Sequence, residues 1–184
     1  MSAPADLAFS HIGIHVHDLA RMERFYVDEL GFLVTDRGVL TRGERTMDLA
    51  FLSRDPDEHH QIALVSGRPL PLGYNVVNQI SLRVESLAAI RAFHRRFREL
   101  ALAEINPITH INAVSVYAQD PEANRIEIFW DTPWHVPQPL ALPIDLEQDD
   151  AALMAWMEAK ARSMNGFLPK DEWKRALARR MARG

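Results

Sequence analysis

Residues 9–32 read FSHIGIHVHDLARMERFYVDELGF, and residues 77–100 read VNQISLRVESLAAIRAFHRRFREL. Set at an offset of 79 − 11 = 68, Ile12 falls on Ile80, Ile14 on Leu82, Val16 on Val84, Leu19 on Leu87, Met22 on Ile90 and Phe25 on Phe93. Each copy opens on strand-like alternation, turns at Asp18 or Ser86, and continues with helical periodicity. A repeat of this kind predicts two pseudo-symmetric halves around one shared cleft. The copies differ at the start of the strand, where His11 faces Gln79.

Working outward, Gly31 suits the residue after a helix over 20–30. Strands are predicted near 32–37, 46–53 and 60–66, with the turn-forming RDPDE before the last. GRPLPLGYN (67–75) reads as the linker. The second half repeats the order: strand 77–84, helix 87–100, and strands near 104–108, 112–118 and 124–130. The fold class is therefore α+β. Two βαβββ modules, 8–66 and 76–131, form a cup-like mixed sheet in a domain over 1–131. Residues 132–184 form an extension. Its first part, DTPWHVPQPLALP (131–143), holds four prolines and is predicted to run extended. Two helices follow over 149–164 and 170–182. In the first, Leu153, Met154, Trp156 and Met157 are predicted to share one side, packed on the domain or on a partner subunit.

Composition narrows the function. A formal charge of −4 leaves no footprint for nucleic acid, and no apolar run approaches the ~20 residues that span a bilayer. The absence of cysteine excludes thiolate ligands and fits a cytoplasmic protein. Any metal falls to His, carboxylate or amide oxygen. The ends of the halves, HHQIALV (59–65) and NRIEIFW (124–130), align Ile62 with Ile126 and Ala63 with Glu127. His11, Ala63, Gln79 and Glu127 are thus four symmetric positions. A carboxylate inside IEIFW needs a partner, because burying it alone is costly.

SHIGIHVHDL with FYVDELGF, and SVYAQDPEANRIEIF, resemble the vicinal oxygen chelate superfamily over residues 8–131. That superfamily holds glyoxalases, fosfomycin-resistance proteins, bleomycin-binding proteins and extradiol ring-cleaving dioxygenases. Within it the chain looks most similar to the dioxygenases. The resemblance implies a metal held by His11, Gln79 and Glu127, with Gln79 standing where the dioxygenases have a histidine. It implies His60, in the paired HH, as acid/base. It makes His110, Asn112 and Tyr117, in THINAVSVY, the remaining site residues. The implied function is an Fe(II)-dependent oxidoreductase of aromatic catabolism that cleaves a catecholic substrate with O₂, with Mn, Ni or Zn as other cations. The alternatives are a glyoxalase-like isomerase or lyase, and a metal-free small-molecule binding protein of the resistance type. The partner is a small molecule, and the superfamily's habit of pairing allows a homodimer. His15 and His94 read as structural or surface residues, and His135 receives no role.

Overall fold

The computed structural model describes residues 8–71 and 74–182. The protein is α+β, in two compact units. The N-terminal unit runs up to Val76 and also includes Asp120–Asn124; the C-terminal unit comprises Val77–Gln119 and the chain from Arg125 onward.

In the N-terminal unit, β1 (Ile12–Val16) leads to α1 (Leu19–Arg24), then β2 (Leu33–Arg42), β3 (Arg45–Ser53) and β4 (Ile62–Ser66). The sheet order is β1-β4-β3-β2, with β1 parallel to β4 and the other pairs antiparallel. Asp18 starts α1 by accepting the Arg21 N–H at 2.9 Å, which satisfies one of the donors a helix start leaves free. Alternation buries Ile14 and Val16 with Met22, Phe25, Tyr26, Leu30 and Phe32. The predicted single helix ends instead in a π-helical turn over Phe25–Glu29. The wider turn accommodates two consecutive aromatic rings, Phe25 and Tyr26, in the core. The β2–β3 hairpin is longer than predicted and closes through Gly43 at φ +60°. Its outer end is exposed on both faces, so no hydrophobic alternation marks it. Residues 72 and 73 of the linker lie outside the described residues.

The DPEAN turn (120–124) is structural. Asp120 Oδ1 accepts the N–H groups of Glu122 and Asn124, both at 2.9 Å. The Glu122 carboxylate accepts the N–H of His17 at 2.8 Å and of Asp18 at 2.7 Å. Arg68 donates to Asn124 Oδ1 at 2.9 Å and lies 3.4 Å from Glu122.

The C-terminal unit repeats the plan with β5 (Ile80–Arg83), α2 (Leu87–Glu99), β6 (Asn106–Thr109), β7 (Ala113–Gln119) and β8 (Arg125–Asp131). Ser86 caps α2 by accepting the Ala89 N–H at 3.1 Å. Leu87, Ile90 and Phe97 of that helix are buried, as are Val114, Val116, Ile126 and Ile128 of the sheet beneath it. The remaining sequence adds β9 (Trp134–His135), β10 (Leu142–Pro143), α3 (Asp150–Arg162), β11 (Leu168–Pro169) and α4 (Lys170–Met181). The sheet order is β10-β6-β7-β8-β5, with β5 parallel to β8, and β11 pairs separately with β9. The proline-rich segment is thus extended, and β10 covers the edge of β6. Gly166, at φ +82°, allows the chain past Pro137; a Cβ there would lie 2.7 Å from the proline ring. In α3 the buried stripe is Leu153, Met157 and Ala161, four residues apart. Trp156 falls off that stripe and is 44% exposed, contrary to the sequence reading. Among the described residues no helix is long and apolar enough to cross a membrane.

Candidate functional site

The strand pairing is the same in both halves. Ile12 pairs with Ile62 and Ile80 with Ile126, so Gly13 lies opposite Ala63 and Ser81 opposite Glu127. Glu127 also pairs with Tyr117 on its other side, and Tyr117 with Asn106. Asn106, Tyr117, Glu127 and Ser81 therefore form one line across β6, β7, β8 and β5. Strand alternation puts this line opposite the apolar residues that meet α2.

Glu127 is the centre of the line and only 6% exposed. Its Oε1 accepts the Ser115 hydroxyl at 2.7 Å and the Tyr117 hydroxyl at 2.6 Å. Its Oε2 accepts the Ser81 hydroxyl at 2.5 Å and the Gln79 amide at 2.8 Å. Four donors occupy the four lone-pair directions of a carboxylate, and charge-assisted bonds of this kind offset the penalty of burying it. Burial, and then the bond to Glu127, push the Tyr117 phenol well above its ordinary range, with the Arg125 charge opposing them. Tyr117 is therefore a protonated donor throughout the physiological range. Behind it, His110 Nε2 lies 3.1 Å from the phenol oxygen, and its Nδ1 donates to the Leu140 carbonyl. The main chain of the proline-rich segment thus fixes the imidazole plane.

Asn112 stands apart from this network. Its Oδ1 accepts the Val136 N–H at 2.7 Å, and its amide nitrogen faces His135 Nδ1 at 3.4 Å. His135 in turn stacks on Trp173, with centroids 4.7 Å apart. Both residues dock the extension.

His11 and His60 meet in the N-terminal unit, where their rings lie 4.2 Å apart. His60 Nδ1 is 2.9 Å from His59 Nδ1, and Phe51 packs on the His60 ring at 4.9 Å. Desolvation, and then the neighbouring His11 and His59, hold His60 below the ordinary histidine range, which favours its neutral form. Among the described residues no three His, Asp or Glu side chains gather as a metal-binding group. The predicted set His11, Gln79 and Glu127 contains only two residues of those types.

Sequence reasoning missed Ser81, Ser115 and Arg125. The signal lay in the strand register, which sets Ser81 opposite Glu127 and keeps Arg125 on the Glu127 face.

A family model for the Glyoxalase/Bleomycin resistance protein/Dioxygenase superfamily matches residues 8–128. No curated protein matches by sequence. Several solved structures are similar. One is a glyoxylase/bleomycin resistance protein/dioxygenase domain from Frankia sp. EAN1pec, with TM-score 0.58 and 20% identity over 70% of this chain and 100% of that one. Another is the trypanothione-dependent glyoxalase I of Leishmania major, with TM-score 0.53 and 18% identity over 85% of this chain and 96% of that one. A third is the fosfomycin resistance protein FosX of Listeria monocytogenes, complexed with Mn(II) and sulfate. Its TM-score is 0.51 and its identity 18%, over 70% of this chain and 94% of that one. At these identities the likeness is one of fold.

Proposed function

Because the chain belongs to the glyoxalase/bleomycin resistance protein/dioxygenase superfamily, we propose that it is a divalent-cation-dependent enzyme acting on a small molecule with two adjacent oxygens, in the manner of the extradiol dioxygenases. The observation that supports this reading is the Glu127–Tyr117–His110 network, which gathers three of the residues that the dioxygenase resemblance implies.

The donor set suits a cation in kind. Glu127 supplies the anionic oxygen, Gln79 an amide oxygen and His11 an imidazole. Which end of the Gln79 amide faces Glu127 is a matter of bonding partners. Turned about, its oxygen would lie beside Oε2, so that Gln79 and Glu127 could hold a cation together. When bound, the cation supplies Lewis-acid polarisation of the substrate oxygens and, if it is iron, electron transfer with O₂. The chain's own residues do the rest. Ser81 and Ser115 hold the Glu127 carboxylate in one orientation. Tyr117 donates from its hydroxyl to an oxygen of the substrate or to Glu127. His110, fixed by Leu140, keeps the phenol in place. His60, neutral, takes the substrate's hydroxyl proton and returns it later.

Gln79 favours a second reading. Oxygen donors suit Mn better than Fe, and with a redox-inert cation the same site would work as an isomerase or lyase without O₂. The four donors on Glu127 favour a third, since they satisfy the carboxylate with no cation and would suit a binding protein.

Anaerobic reconstitution of the chelated protein separates these readings. Fe(II)-dependent O₂ uptake with catechol, abolished in Glu127→Gln, is the expected result. Turnover with Mn(II) in the absence of O₂ would move the assignment to the second reading. Ligand binding unaffected by chelation, with no turnover under either condition, would move it to the third.

A further inference from the structure

A cavity of about 410 Å³ opens beside Tyr117, lined by Glu104, Ile105, Asn106, Tyr117, Ala118 and Arg125. All six belong to the C-terminal unit. Tyr117 is common to the cavity and to the Glu127 network, so whatever fills the cavity touches the residue that bonds the carboxylate. Ile105 and the Tyr117 ring give it apolar wall. The volume falls within the range of small-molecule pockets and suits a single ring with one substituent.

Arg125 sets the chemistry. Its guanidinium lies over the Tyr117 ring, 4.1 Å from the centroid. A ring face attracts the cation without taking up its N–H donors, which stay available to an acceptor. Among the described residues no side chain or backbone group bonds to that edge, and no carboxylate lies within ion-pair distance. Glu104 shares the lining but forms no such pair. The strand line places Asn106 next to Tyr117 as a further amide donor. A half-buried, pre-oriented fork of donors without an internal acceptor is what bidentate recognition of a carboxylate requires. The acidic Glu104 at the rim disfavours a dianion and favours a group of single charge.

We propose that Arg125 is the specificity residue of this site, and that the substrate is a small-molecule carboxylate whose anionic end docks on Arg125 with its body against Ile105 and Tyr117. Naming this ligand a substrate rests on the enzymatic reading above; the binding itself needs neither a cation nor turnover.

The test titrates the full chain, without added metal, with benzoate, its neutral counterpart benzamide, and phenylphosphonate, followed by amide NMR shifts. The expected result is benzoate affinity at least about tenfold above benzamide, with shifts at 104–106, 117 and 118, consistent with the strength of a charge-assisted pair. Arg125→Gln should erase that advantage, and Arg125→Lys should retain part of it while guarding against loss of fold. Equal binding of benzoate and benzamide, an advantage that survives Arg125→Gln, or shifts elsewhere would overturn the proposal. Phenylphosphonate binding tighter than benzoate would overturn the carboxylate assignment. If benzoate docks as expected but no turnover is found with Fe(II) and O₂ or with Mn(II), the enzymatic reading fails and the binding site stands. The reverse pair of results sinks the Arg125 proposal alone.

Discussion

The two units share a strand plan and diverge at one line of residues. In the C-terminal unit the line across the four module strands is Asn106, Tyr117, Glu127 and Ser81. In the N-terminal unit the corresponding line is Asp36, Phe51, Ala63 and Gly13. A tyrosine–glutamate–serine run in one is phenylalanine–alanine–glycine in the other. The apolar faces beneath are alike: isoleucines pair at Ile12–Ile62 and at Ile80–Ile126. The comparison shows that the βαβββ plan is specified by the face that meets the helix. The opposite face is free to change, and one unit has built there a bonded polar network where the other has Phe51, Ala63 and Gly13.

Removing the centre of the polar line should have the largest effect. Glu127→Gln keeps the shape but deletes the charge that four donors serve. Turnover should fall by at least about 100-fold, on the scale of a lost charged group in a reaction centre, and retained cation should fall with it. Undiminished turnover and metal content would mean that the chemistry is elsewhere.

The reverse experiment grafts the carboxylate onto the bland unit. Ala63→Glu would place a charge between Gly13 and Phe51 at a position 7% exposed, with neither neighbour able to donate from its side chain. The expected cost is about 3 kcal/mol of stability, measured by denaturant unfolding. A neutral result would show that the line tolerates charge without a built network.

Tyr117→Phe makes the C-terminal line resemble the N-terminal one at a single atom. It removes one of two hydrogen bonds to Oε1 and leaves Ser115 in place. A loss of about tenfold in kcat, with little change in KM, is expected if the hydroxyl acts in the transition state. A raised KM at unchanged kcat would reduce it to a binding contact.

The smallest effect is expected at Gln79, where the copies first differ. Gln79→His recreates the residue found at position 11. Affinity for Fe(II) should rise by about tenfold, read by competition with a chelator, since imidazole is the better ligand for a first-row cation. Unchanged affinity, with weaker ligand binding, would favour the metal-free reading.

The repeat made most of this fold legible. Isoleucines at matching places aligned the two halves, and with them His11 with Gln79 and Ala63 with Glu127. The helix bounds followed from Gly31 and the apolar spacing. The outer half of the β2–β3 hairpin was not legible, because a strand exposed on both faces carries no alternation. Trp156 was misplaced because aromatic character said nothing of its angle around α3. Asn112 was read with its sequence neighbours His110 and Tyr117, yet its hydrogen bonds go to residues 135 and 136, far along the chain. Ser81, Ser115 and Arg125 carry no motif of their own, and they become visible only once the register sets them beside Glu127.

The bond from His110 to the Leu140 carbonyl has a consequence for the order in which the protein is made. The strands that carry Glu127 and Tyr117 have all been made once residue 131 has left the ribosome, but the carbonyl that fixes the imidazole arrives only with residue 140. Two residues later, Leu142 pairs with Thr109, adjacent to that histidine, and locks the segment down. A nascent or prematurely ended chain that stops in the proline-rich stretch would hold a folded sheet with an unset histidine. The last step in building the site is therefore written in a part of the chain that meets the histidine through the Leu140 carbonyl and the Gln138 amide.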